Sequence, residues 1–207
     1  MHETRYPVHT EFWYDPNGFV VPLTLQGKSI LQDLCSLSLD WDDPVPDDVE
    51  MKWEKCRMEL MKLRSIKIPQ CYKPNHFGQV VRAELHHFSN ASVQGCGQCS
   101  YLRLEDEKHN VHCAFVMAKS RVAPLKPVTV AQLELTAAVC SVRINQQIHQ
   151  ELEYRIDEDF YWTDCKVVLG YLSFRSSPYC FREQCTFKAP LETSSQAENW
   201  TSCYFYV

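Results

Sequence analysis

No stretch of this 207-residue chain approaches the roughly 20 consecutive apolar residues that cross a bilayer. Its first residues, MHETRYPVHTEFWYDPNG, hold no basic cluster followed by an apolar run. No secretory signal is read there, and the chain is expected in the cytoplasm without a membrane partner. Internal repeats and low-complexity tracts are absent, which argues against solenoid and fibrous architectures. The 11 cysteines are odd in number and run from Cys35 to Cys203 without framework spacing. That argues against a disulfide scaffold and for reduced thiols, most of them small buried hydrophobes. A net charge of -5 has the wrong sign for a general nucleic-acid coat. It leaves room for a local basic groove, or for an acidic site that holds divalent cations.

What is present divides into three zones: residues 1–75, 76–174 and 175–207. The first is rich in Trp, Pro and Asp. Tyr14-Asp15-Pro16-Asn17-Gly18 has the composition of a turn, because Pro sets φ and Asn-Gly accepts a positive φ. Leu25, Ile30, Leu31, Leu34 and Leu37 then recur at helical spacing. The acidic, proline-bearing DWDDPVPDD interrupts the chain, and Asp47 or Asp48 is expected to cap a second helix over Val49–Leu63. In the second zone AELHHFS, CSYLRLE and VHCAFVMAKS read as strands. Leu133, Ala137, Cys140, Ile144 and Ile148 fall at i, i+4, i+7, i+11 and i+15, one face of a long helix. Thr129 with Gln132 is a capping box that would start this helix. FYWTD reads as a further strand and CKVVLGYL as a short helix. The order strand, strand, strand, helix, strand, helix predicts an α/β layer with a mixed sheet, in which a helix carries the chain across to a new strand. The third zone has no sustained period and reads as an irregular tail, with room for one short strand at its end.

Three polar residues stand at the ends of these elements. Asn90 closes the first strand in Phe88-Ser89-Asn90-Ala91-Ser92, Glu134 lies in the first turns of the long helix, and Asp164 ends FYWTD. A bland reading competes with a functional one. Glu134 would then be solvated near a helix start, where the dipole favours an acid, and Asp164 would be a helix cap.

ELHHFSNASVQGCGQCSYLRL, MAKSRVAPLKPVTVAQLELTAAV and FYWTDCKVVLGYL resemble the ribonuclease H-like segment of BEL/Pao-type retrotransposon polyproteins. YDPNGFVVPLTLQGKSILQDLCSLSLDWDDPVPDD resembles the segment before it, the connection after the reverse transcriptase core. The likeness runs from about residue 12 to 174, in the family's own order. It implies a ribonuclease H-like mixed sheet with a crossover helix, truncated at the C-terminus and preceded by a small helical connection region. It also implies a site where four carboxylates bind two Mg²⁺ (or Mn²⁺) and cut the RNA strand of an RNA–DNA hybrid. Mg²⁺ is a hard cation that takes oxygen ligands, and a pair of such ions activates the attacking water and steadies the leaving oxygen. On this resemblance Glu134 matches the family's helix glutamate and Asp164 the aspartate of its WTDS block, with Cys165 in place of the serine. Asn90 stands where the family reads FSDAS, so the first-strand aspartate has become an amide. There is no Asp after Asp164, and Glu183, Glu192 and Glu198 lie in sequence that no longer resembles the family. Two of the four implied ligands are missing, so the implied catalysis is impaired.

Other signals weigh less. Asp42-Asp43 sits between Trp41 and Pro44 and reads as a turn rather than a polymerase metal dyad. Cys96-x-x-Cys99 with His109, His112 and Cys113 hints at zinc, but strand alternation would put the two cysteines on opposite faces. Lys119, Arg121 and Lys126 form a basic segment before the long helix, either a solvated loop or phosphate contacts to a hybrid. Trp162 reads as core rather than as a base-stacking platform. The polyprotein region is sometimes named a Pao peptidase, yet neither Asp-Ser-Gly nor Asp-Thr-Gly occurs, and an aspartic peptidase needs two such carboxylates sharing a proton. Three readings stand: an impaired ribonuclease H-like nuclease, a noncatalytic nucleic-acid- or protein-binding module, and, by name alone, an aspartic peptidase. The residues carry no reading of oligomeric state.

Overall fold

The computed structural model describes residues 15–37, 39, 43–69, 71–173 and 186–188. Asp15 organises the start. Its carboxylate accepts the N–H groups of Gly18, Phe19 and Val20 at 3.1, 2.9 and 2.8 Å. These donors lead into helix α1, Val21–Ser36, with a proline in its first turn, where a missing N–H costs nothing. Helix α2 spans Asp47–Lys62 and ends in a single 3-10 turn, Leu63–Ser65. The expected Asp cap is not used. Pro46 is the boundary residue, and Asp47, Asp48 and Glu50 all lie inside the first turn, where they complement the helix dipole instead. Ile30 of α1 packs with Val49 and Cys56, against Leu34, Val45 and Trp53. Leu31 and Leu37 are 39% and 50% exposed, so only part of the helical stripe is core. The buried face of α1 runs through Gly27, Ile30 and Leu34.

Three long strands follow: β1, Val80–Ala91; β2, Gly95–Asp106; and β3, Val111–Val122. β1 and β2 are antiparallel, as are β2 and β3. The β2–β3 turn is held by Asp106, which accepts Lys108 N–H and Asn110 N–H at 2.9 and 2.8 Å. Helix α3, Val130–Glu151, opens with the Thr129–Gln132 capping box. It leads to β4, Glu158–Trp162, parallel to β1, and then to α4, Lys166–Ser173. β5, Thr186–Lys188, lies parallel to β4, giving the sheet order β3-β2-β1-β4-β5. The fold is therefore the mixed α/β sheet with a crossover helix. The tail, expected to be irregular with room for a short strand at its end, contributes this fifth strand well before its end; the rest of residues 175–207, with Glu183, Glu192 and Glu198, lies outside the described residues. Asp42 does too.

The main core joins Ala83 and Leu85 of β1, Leu102 and Leu104 of β2 and Val116 of β3 to Ile144 and Ile148 of α3. Leu133 and Ala137 pack on Cys96 in a second cluster nearer the start of α3. The apolar face read from α3 is thus the face it buries. The outer edge of β3 is covered by the N-terminal segment. Ala118 N–H donates to the Asn17 carbonyl at 2.8 Å, and Gln32 Nε2 donates to the Ala123 carbonyl at 2.8 Å. The segment satisfies one outward backbone donor of β3 and lies where another strand would otherwise add. Gly18 makes the approach possible. Its φ is +81°, and a Cβ there would lie 2.1 Å from the Ala118 carbonyl oxygen.

Candidate active site

Strand direction brings the three polar residues together. β1 and β4 run parallel, and their last register pair is Phe88 with Trp162. Asn90 and Asp164 each lie two residues beyond that pair, so both emerge at one end of the sheet. Both are exposed. Glu134 arrives from the crossover: the capping box fixes where α3 begins, and the fifth residue of the helix lies over the end of β1.

One backbone N–H shows how close the approach is. Ala91 N–H donates to Glu134 Oε1 at 2.9 Å and also reaches Asn90 Oδ1 at 2.7 Å. Two side-chain oxygens therefore share a single donor. Glu134 is 5% exposed, and its other oxygen, Oε2, is buried without a hydrogen-bond partner. Burial pushes this carboxyl above its ordinary range; the Ala91 N–H opposes the shift, and the negative charge of Asp164 adds to it. The reading of Glu134 as a solvated early-turn acid is overturned, because a helix start docked on a strand end is not a helix start in water. Asp164 is not the helix cap either. Leu169 N–H donates to the Cys165 carbonyl at 3.1 Å, which makes Cys165 the boundary residue of α4. Cys165 N–H in turn donates to Thr163 Oγ1 at 3.2 Å, holding the turn from which Asp164 projects.

The basic residues sit differently from a loop. Lys119 and Arg121 belong to β3, and only Lys126 lies in the connection to α3. Lys119 Nζ donates to the Pro16 carbonyl at 2.9 Å, so it ties the N-terminal segment to the sheet. Arg121 is in register with Cys96, and its charge acts on the thiols of Cys96 and Cys140. That places it on the α3 side of the sheet. The zinc signal dissolves: Cys96 packs with Leu133 and Ala137 under α3, whereas Cys99, three residues on, alternates to the opposite face. His109 bonds Glu105 at 2.8 Å in the β2–β3 turn. Among the described residues no group of three or more His, Cys, Asp or Glu side chains is arranged to hold a metal ion.

Two polar chains were not read from the sequence. In one, His87 contacts Ser100 Oγ through Nδ1 at 2.7 Å and Asn145 Oδ1 through Nε2 at 3.0 Å. Asn145 Nδ2 donates to Asp159 Oδ2 at 2.9 Å, and His149 also meets that carboxylate. In the other, Trp162 Nε1 donates to His86 Nδ1 at 3.1 Å, which leaves Nε2–H to donate to Glu84 at 3.3 Å. The first chain pins the far half of α3 to β1 and β4, and the second pins β4 to β1 just before Asp164. The adjacent histidines in LHHFS were the available signal, since neighbouring strand residues must face opposite sides and each buried imidazole then needs its own partners.

A family model described as "Pao retrotransposon-like RNaseH-like domain" matches residues 9–165. The match takes α1 and α2 together with β1–β4 and α3, and ends one residue after Asp164. No curated protein matches the chain.

Proposed function

We propose that this chain, which belongs to the Pao retrotransposon-like RNaseH-like domain family, derives from a nuclease acting on RNA–DNA hybrids, and that its catalysis is impaired at position 90. The observation that carries the reading is the meeting of Asn90, Glu134 and Asp164 at one end of the sheet, with Asn90 and Glu134 on the same N–H. Divalent cations such as Mg²⁺ or Mn²⁺ suit these residues. Glu134 Oε2 is a buried carboxylate oxygen with no partner, and Asp164 is close enough for its charge to act on Glu134. Glu134 and Asp164 would hold the metal as hard oxygen donors. Bound there, such ions supply charge neutralisation at the scissile phosphate and activation of a water.

The protein's own contribution is placement. Ala91 N–H orients Glu134, and the Thr163–Cys165 turn holds Asp164 outward toward a substrate backbone. Asn90 offers one neutral carbonyl oxygen where an aspartate would bring a full charge, so attraction for a cation is weakened at that position. Arg121 and Lys126, with Lys119 behind them, would meet phosphates of the hybrid; such contacts position a duplex without reading its sequence. A second reading, a noncatalytic module that binds nucleic acid, is favoured by Asn90 itself.

The test is cleavage of a labelled RNA–DNA hybrid in Mg²⁺ and then Mn²⁺, using the native chain, Asn90→Asp and Asp164→Asn, with folding checked by circular dichroism. The expected result is little or no cutting by the native chain and increased cutting by Asn90→Asp. Salt-dependent binding of the hybrid without cutting by any of the three would favour the binding module. Three folded proteins that neither cut nor bind would overturn both readings.

A further inference from the structure

We propose that the site holds one divalent cation rather than two, gripped by Glu134 and Asp164, with Asn90 as a neutral neighbour that bridges nothing. This inference rests on the nuclease-derived reading above and says what that site binds in this chain. The charge count is the first argument. Two carboxylates balance one divalent ion and leave a second uncompensated, and two such ions repel about four times as strongly as unit charges at the same separation. The ligand count is the second. A carboxylate that bridges two ions brings two oxygens sharing a full negative charge, and the Asn90 amide has a single uncharged oxygen. That oxygen already lies 2.7 Å from Ala91 N–H.

Glu134 is placed to serve one ion. Oε1 is occupied by Ala91 N–H at 2.9 Å, which leaves Oε2 as its open coordination position, buried and unpartnered. Asp164 is exposed and contributes the second charge. The other acids of β1 and β4 that face partners are committed to them, farther along the strands. Asp159 is bonded to Asn145 and His149, and Glu84 is paired with Arg82, Arg103 and His86. Among the described residues no group of three or more His, Cys, Asp or Glu side chains is arranged to seat a second ion. One cation can fix a phosphate but cannot brace both the attacking and the leaving oxygen of an in-line displacement.

The experiment counts ions without needing turnover. Mn²⁺ bound by the full chain is measured by the electron paramagnetic resonance signal of the free ion, alongside the shift in melting temperature. The native chain is compared with Glu134→Gln and Asp164→Asn, each shown to be folded by circular dichroism. The expected result is one Mn²⁺ per native chain, displaced by excess Mg²⁺, lost in Glu134→Gln and weakened in Asp164→Asn. Two ions per native chain, both lost in Glu134→Gln, would overturn the inference, as would a folded native chain that binds none. The two claims fail separately. One bound ion with Asn90→Asp still unable to cut or bind a hybrid would leave this inference standing and remove the nuclease reading. Two bound ions with hybrid cleavage would do the reverse.

Discussion

Lowering the pH should destabilise this protein through one buried imidazole, His87. The ring is 0% exposed. Burial, the dominant cause, pulls its pKa from 6.5 down to about 4, against the opposing charge of Asp159 and the bond to Asn145, and His86 and His149 add small effects in the lowering direction. The hydrogen bonds agree with a neutral ring. Asn145 uses its NH₂ on Asp159, so its Oδ1 must accept Nε2–H of His87, and Nδ1 is left to accept the Ser100 hydroxyl. Ser100 has one proton for two acceptors, His87 Nδ1 at 2.7 Å and Gln98 Oε1 at 3.0 Å. Turning the Gln98 amide over would give its unpartnered NH₂ the Ser100 oxygen. A depressed folded-state pKa means that the unfolded chain takes up the proton first as pH falls. Stability is therefore full above pH 6.5 and drains away down to about pH 4. With about 1.4 kcal/mol per unit, the loss is about 2 kcal/mol by pH 5 and about 3 kcal/mol by pH 4. The assay is urea unfolding followed by circular dichroism at pH 7, 6 and 5, on the native chain and on His87→Gln, which keeps a donor and an acceptor but does not titrate. Glu84 and Asp106, both shifted down, lose stability chiefly at lower pH, and Glu134, shifted up, acts in the opposite sense. All three are common to both proteins, so the difference between them isolates His87. Equal losses in the two proteins between pH 7 and 5 would refute the argument.

Other perturbations have equally definite outcomes. Gly18→Ala puts a Cβ 2.1 Å from the Ala118 carbonyl oxygen at a φ of +81°. It should cost more than about 1 kcal/mol in urea unfolding and speed hydrogen exchange at Ala118 N–H. Thr129→Ala removes the α3 cap and should cost about 1 kcal/mol by the same measurement, with Gln132 N–H losing protection. Glu134→Gln keeps an acceptor for Ala91 N–H but deletes a charge disfavoured by burial and by Asp164. Its melting temperature without added metal should equal or exceed that of the native chain, and a clear fall would count against a strained, cation-seeking carboxylate.

The sequence alone determined the order of the elements and the long helix with its start. Apolar residues at helical spacing from Leu133 to Ile148 and a capping box at Thr129 are signals carried by neighbouring residues, one giving the helix a face to bury and the other satisfying its first N–H groups. Family likeness singled out Asn90, Glu134 and Asp164. What α1 buries was only half legible, because Leu31 and Leu37 fit the same stripe as Ile30 and Leu34, and only contact with α2 chooses between them. Tertiary structure alone decided that Glu134 is buried. Its exposure depends on how α3 docks across the end of β1, a contact between residues 43 positions apart in the chain. The same holds for the chain from Ser100 through His87 and Asn145 to Asp159, whose members come from β2, β1, α3 and β4. Partners so far apart leave no periodicity for a sequence to display, and only the packed sheet and helix bring them within bonding distance.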